Sequence, residues 1–191
     1  YDAAHAAMLA IPGVTGTTRT AIPLASDTRP VRLVKAPGAE EYQSLSYHGV
    51  DAEYLQTTGI NLLAGRRFDD RIALDRVPAG DDQAVAARGL NIVINRAAAR
   101  KLGFRNPQAA IGQAVRMTRG GPMVPAAIVG VIEDTRFGSA REAIDAAIYA
   151  VDPEAAEVVL VRFAAARPGE VVAALDRVWR RFEPGIPFEA R

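Results

Sequence analysis

The sequence contains no cysteine. Thiolate catalysis, disulfide staples and thiolate-based zinc or iron–sulfur centres are therefore excluded. Lysine is almost as scarce: Lys35 and Lys101 are the only two, and neither follows a glycine framework, so there is no phosphate-cradling P-loop. No sign of charge dominates. The 23 Lys and Arg against 22 Asp and Glu leave a net charge of +1, whereas a protein that tracks nucleic-acid phosphates carries a basic excess. Long hydrophobic runs are missing too. The longest strongly apolar stretch runs from Ala126 to Ile132, and a membrane-spanning helix needs roughly 20 such residues. There is no G-x-G-x-x-G fingerprint and no G-x-S-x-G elbow; Ser139 reads as a loop or cap residue.

What is present is ordinary globular composition: 191 residues, 49% hydrophobic and 24% charged. That suffices for one domain of good size or two small subdomains. The chain begins at Tyr1 and runs straight into a helical pattern, the expectation for a piece of a longer polypeptide.

Patterning places the elements. Ala4, Met8 and Ile11 share one face of a helix over 1–11, which Pro12-Gly13 ends. Strands are expected over 14–24, 31–34 and 42–50. Asp51 is a plausible N-cap for a helix over 52–58, and Gly59 suits its C-terminal turn. Residues 69–91, polar and carrying Pro78, Gly80 and Asp81-Asp82, read as a long surface loop. Ile92-Val93-Ile94 reads as a buried strand, and Asn95 as the cap of a helix over 96–102. Strands over 115–118 and 123–132 flank a turn at Arg119–Pro122. Further strands are expected over 146–151 and 158–163. Pro168 opens a last helix whose Val171, Val172, Leu175, Val178, Trp179 and Phe182 form a broad apolar stripe. Irregular interleaving of strands and helices points to an α+β fold rather than a doubly wound sheet.

Chemistry-bearing clusters are sparse. His5 and His48 are far apart and carry no ligand or triad signature, so both read as structural. The adjacent carboxylates Glu40-Glu41, Asp69-Asp70, Asp81-Asp82 and Glu133-Asp134 lack the alternation of a calcium loop and read as solvated loop residues. Arg66-Arg67 reads as bonded to Asp69, Asp70 or a loop carbonyl rather than to an anionic ligand. Tyr54, Tyr149, Phe104 and Trp179 read as core or rim aromatics.

Several segments in order resemble one family. They are Ile11-Pro12-Gly13-Val14; the stretch from Val50 through Thr58-Gly59-Ile60-Asn61-Leu62-Leu63-Ala64-Gly65-Arg66-Arg67-Phe68; Ile92 to Ala99; Ala110 to Gln113; Ile128 to Arg136; Ile148-Tyr149; Val159 to Arg162; and the Trp179 helix with Pro184–Phe188. The series resembles the periplasmic core domain of MacB-like (FtsX-like) ABC transporter permeases over about 7–188. The 70–91 stretch is longer than is common there.

The resemblance implies a discontinuous fold: a porter-like α/β subdomain from 1–47 plus 157–191, with an inserted mixed β/α subdomain from 48–156. It implies a non-enzymatic domain between the first two membrane helices of an inner-membrane permease, facing the periplasm or cell exterior. Partners so implied are a cytoplasmic ABC ATPase, a second permease subunit, and a periplasmic adaptor or cargo; nucleic acid is not among them, and the membrane is reached through flanking helices. The isolated domain is then expected to be mostly monomeric. No catalytic, cofactor-binding or metal-binding residue is implied. Gly65, Arg66, Phe68, Gly130 and Asp134 are read as fold determinants. Two other classes stay open at this point: a free periplasmic ligand-binding protein, and a small secreted hydrolase using Glu133 and His48.

Overall fold

The centre of the molecule is built where strands can bury both faces. The computed structural model describes residues 2–21, 30–80, 82–119, 121, 123–135, 144–164 and 167–190. Among them, β5 (Leu90–Asn95) and β8 (Ala147–Val151) are buried at every position. A continuous apolar run such as Ile92-Val93-Ile94 suits a strand covered on both sides. By contrast β7 (Met123–Ile132) alternates buried and half-buried residues along most of its length.

Six strands close on themselves by hydrogen bonding. β2 (Val31–Lys35) pairs with β6 (Ala114–Thr118), β6 with β7, β7 with β5, β5 with β8, β8 with β3 (Gln43–Val50), and β3 again with β2. The pairs β5–β7 and β3–β8 are parallel, the others antiparallel. Alternate residues of all six strands (Val34, Leu45, Ile92, Met117, Ile128 and Ile148 among them) form one apolar cluster inside this ring. Val85 of α3 (Asp82–Arg88), Ala98 and Ala99 of α4 (Arg96–Lys101) and Ala110 of α5 (Pro107–Ala110) join the same cluster.

The remaining strands hang on the ring. β4 (Leu62–Gly65) pairs with β7. β1 (Val14–Thr20) meets β3 through the single register pair Thr20–Val50, and β9 (Val158–Phe163) pairs with β1 along its length. A second cluster covers the outer side of β5 and β8, where Val93, Tyr149 and Val151 pack with Tyr54 and Leu55 of α2 (Tyr54–Thr58), Ile60 and Phe68. A third holds α1 (Asp2–Leu9) and α6 (Pro168–Phe182) on β1 and β9. There Met8, Val171 and Leu175 meet Val14, Val159, Val161 and Phe163. The amphipathic stripes of the first and last helices thus pack on one pair of strands.

Four expectations are corrected. Residues 69–91 are not a plain surface loop: they form a 3-10 turn at Ala73–Asp75, then α3, and β5 already starts at Leu90. Val77, Val85 and Leu90 are buried, so the segment is an apolar contributor to the ring rather than a polar excursion. Asp51 does not cap α2; that helix starts at Tyr54 with Glu53 at the cap position and no side-chain cap bond. The Asp51 carboxylate goes to Arg19 instead. β4 and α5 were not expected; α5 is capped by the Asn106 side chain, which accepts from Ala109 N–H at 2.9 Å. The first strand ends at Thr20, and Ile22–Leu24 lie outside the described residues. Ser139, Gly120 and Pro122 also lie outside them.

Candidate functional site

The functional question is how the unit holding both chain ends is fastened to the ring. The two meet at the end of β1. Beyond the Thr20–Val50 pair, Ala21 N–H donates to Gly49 O at 2.7 Å and Asp51 N–H to Arg19 O at 3.1 Å. Arg19 then grips Asp51 with three donors: its backbone N–H at 2.9 Å, Nε at 3.1 Å and Nη2 at 3.0 Å. Such bidentate, charge-assisted geometry is the stiffest link a side-chain pair offers. The Asp51 side chain is 8% exposed, so solvent screens the pair little. Nearby, Thr57 of α2 donates to Thr17 O and accepts from Arg162 through its carbonyl, both at 3.4 Å. α2 thereby touches β1 and β9 at once.

A second knot fastens the 66–91 segment. Arg66 donates to both carboxylate oxygens of Asp75, and also to the carbonyl of Arg67. Asp75 further accepts from Asn91 Nδ2 at 2.6 Å and from Asp69 N–H at 2.8 Å. Its burial pushes the carboxyl up, but the bonds from Arg66, Asn91 and Asp69 outweigh that and hold it below its ordinary value. Of the partners expected for Arg66, the loop carbonyl is found, in Arg67 O at 3.0 Å, while Asp75 stands in place of Asp69 and Asp70 as the carboxylate. Asp69 binds Arg71 instead, which brings its carboxyl down to about 2.

A third knot lies at the ring. Tyr47 OH donates to Asp152 at 2.8 Å, and Arg119 donates to the same oxygen at 3.0 Å. Burial and the neighbouring carboxylate push the Tyr47 hydroxyl well above its ordinary value. The sequence showed no pattern linking these three residues, which come from β3, the end of β6 and the end of β8.

The sequence candidates for chemistry go elsewhere. Glu133 accepts from the backbone and side chain of Asn61 at 3.1 and 3.2 Å, which lowers its carboxyl. Asp134 accepts from Ala97 N–H at 2.7 Å, at the start of α4, and pairs with Arg100. His48 is buried and lies 5.1 Å from the Tyr149 ring centre. Glu133 and His48 therefore serve different neighbours. Tyr54 and Tyr149 are fully buried and stacked at 5.9 Å, Phe104 packs on the ring cluster and Trp179 on the helix cluster. Among the described residues, no three His, Asp or Glu side chains converge to hold a metal ion.

Among the described residues, these polar contacts tie elements of the sheet to one another. The sequence matches the family model described as the MacB-like periplasmic core domain over residues 2–179. The chain belongs to that family. This MacB-like domain also resembles solved structures. The extracellular domain of the noncanonic ABC-type transporter YknZ from Gram-positive bacteria superposes with a TM-score of 0.59 at 15% identity, over 94% of this chain and 82% of that one. The periplasmic region of MacB from Actinobacillus actinomycetemcomitans gives 0.56 at 11% identity, over 94% and 72%. A domain of a protein described as a permease from Porphyromonas gingivalis gives 0.58 at 20% identity, over 93% and 75%. At these identities the likeness is one of fold. No curated protein matches the chain. No helix among the described residues of this MacB-like domain is long and apolar enough to cross a membrane.

Proposed function

We propose that this MacB-like domain stands outside the cytoplasmic membrane, between membrane helices of an ABC permease. There it converts movements driven by a cytoplasmic ATPase into work on an adaptor or cargo. Catalysis belongs to the ATPase; this domain is a mechanical transmitter, working beside a second permease subunit. The observation that carries the reading is the family match over 2–179, joined to one feature of the fold. Both chain ends are built into a single unit, α1 and α6 on β1 and β9, and that unit meets the ring through the Arg19–Asp51 lock, the Thr20–Val50 pair and the packing of α2 and Leu160. A displacement of the flanking segments enters through α1 and α6 and reaches the ring through these contacts. We propose further that the moving boundary runs within the porter-like part (1–47 with 157–191): α1, β1, β9 and α6 move against the ring, to which β2 and β3 belong together with the inserted part (48–156). The helix cluster holds the end unit together, while β2, drawn from 1–47, hydrogen-bonds into the ring.

The test uses the full-length permease with its ATPase in proteoliposomes. Replacing this domain by a flexible linker should preserve ATP hydrolysis and abolish export. Export at the intact rate without the domain would refute the reading. So would saturable, tight ATP binding by the isolated chain in calorimetry. The isolated domain should sediment mainly as a monomer at micromolar concentration.

A further inference from the structure

The outer face of β2 carries large apolar side chains in the open. Val31 and Leu33 are 53% and 45% exposed, and Tyr42, just before β3, is 49% exposed. The register explains why. Val31 lies opposite Ser46 and Leu33 opposite Ser44, and serine is too short to shield either. Val34, pointing the other way, is completely buried. The strand therefore carries apolar side chains on both faces although only one meets the core.

Charge at this face is also unbalanced. Lys35 stands in register with Arg116 of β6. Like charges directly opposite one another destabilise a sheet. Among the described residues neither cation has a carboxylate partner: the Lys35 ammonium sits 5.4 Å from the centre of the Tyr42 ring, and Arg116 donates to the Met123 carbonyl at 3.2 Å. A third cation, Lys101, is held at the edge by donating to Ser44 O at 2.8 Å. Glu40 and Glu41 precede Tyr42, and no ion pair among the described residues joins them to these cations.

We propose that this face docks an extended segment of a partner protein that alternates carboxylates with apolar side chains. On a strand face, alternate side chains recur at roughly 7 Å, the spacing an extended partner also presents. Carboxylates opposite Lys35 and Arg116 relieve the like-charge opposition, and apolar side chains cover Val31, Leu33 and Tyr42. Complementary charge sets orientation and association rate, and the apolar strip adds non-directional attraction. The proposal deepens the coupling reading by naming a contact surface and its partner's chemistry. Its test involves no transport, so either can fail while the other stands.

The probe is a synthetic peptide of alternating leucine and glutamate, titrated into the isotope-labelled 191-residue chain and followed by NMR. The expected result is saturable amide shifts confined to β2, the start of β3 and β6. Lys35→Glu with Arg116→Glu should weaken binding by about tenfold or more, as for paired charges across an interface. Leu33→Ser should weaken it as well, while reversal of Arg177 and Arg180 on α6 should leave it unchanged. Absent or unsaturable shifts, shifts spread over arginines on every face, or insensitivity to the double reversal would each overturn the proposal. Two competing occupants have their own signatures, and either would displace it. One is binding to phosphatidylglycerol vesicles, but not the peptide, through the same residues; the other is self-association through this face in ultracentrifugation.

Discussion

Gly65 and Gly130 face each other across the β4–β7 pairing, and a methyl group on either would strike the backbone of the opposing segment. A Cβ on Gly65 collides with Val129 O, and one on Gly130 collides with Arg66 O. The close approach lets Arg66 N–H donate to Val129 O at 2.9 Å, which sets the path of the chain into the Arg66–Asp75 knot. Gly65 also has φ +77, a left-handed conformation that side chains resist. Gly65→Ala should therefore cost about 2–4 kcal/mol, combining strain with overpacking. Gly112 supplies the control: its φ is +79 and open space surrounds it, so Gly112→Ala should cost about 1–2 kcal/mol from strain alone. Urea unfolding of both variants checks the difference. Equal losses would mean that the β4–β7 approach is not tight.

The Asp75 knot should contribute to acid stability. Its carboxyl is held below the ordinary value in the fold, so its contribution is complete above the unfolded pKa, near 4, and is lost as pH falls through the folded value. Asp75→Asn should destabilise the protein by about 2 kcal/mol at neutral pH, since it removes a buried charge-assisted acceptor from Arg66, whose own side chain is part exposed. The penalty should shrink as pH falls below the ordinary carboxylate value and the wild-type carboxylate takes up its proton. Chemical denaturation from pH 7 to pH 2 measures this. A penalty independent of pH would show that Asn91 and the backbone, rather than the charge of Arg66, hold the site.

Asn95 is worth more than an ordinary cap. Its Oδ1 accepts from Ala98 N–H at 2.9 Å and from Ala147 N–H at 3.0 Å, and its Nδ2 donates to Asp145 O at 2.7 Å. One side chain thus starts α4 and ties β5 to β8, while being 1% exposed. Asn95→Ala leaves several buried backbone groups unpaired and should cost about 3 kcal/mol. Asn106→Ala, at the exposed cap of α5, should cost about 1 kcal/mol. Thermal unfolding of the two ranks them; a reversed order would contradict the role given to Ala147 N–H.

Local signals made part of this fold legible. The last helix is bounded by Pro168 and Pro184 and carries a periodic stripe; β7 and the Asn95 cap are equally local. α3 was not legible, because Asp82–Arg88 is short and follows Pro78 and Gly80. What makes it a helix packed on the ring is Val85 reaching a core formed by distant strands. Closure of the ring was hidden for the same reason. A strand at 31–35 is visible, but nothing local says that it pairs with both 43–46 and 116–117. Asp51 shows the limit of capping rules: it stands where a cap belongs, yet the guanidinium and the backbone N–H of Arg19 take its carboxylate. The family was legible because many weak motifs occur in order, whereas the Tyr47–Asp152–Arg119 knot has no sequence period to betray it.

The junction lock should open locally rather than with the whole protein. Asp51→Asn keeps an acceptor for Arg19 N–H and loses the ion pair; Asp51→Ala loses both. Stability should fall by about 1–2 kcal/mol for the first and about 2–4 kcal/mol for the second. The informative readout is native-state hydrogen exchange. If β1 and the ring are fastened chiefly by this pair and a few backbone bonds, the amides of Arg19, Ala21 and Asp51 should lose protection more than global stability falls. Those of Ile92 to Ile94, deep in the ring, should follow the global value. A uniform loss across both sets would mean that the end unit and the ring unfold as one body. The junction would then be a rigid strut, and movement transmitted by the domain would have to be displacement of the whole domain rather than bending between its parts.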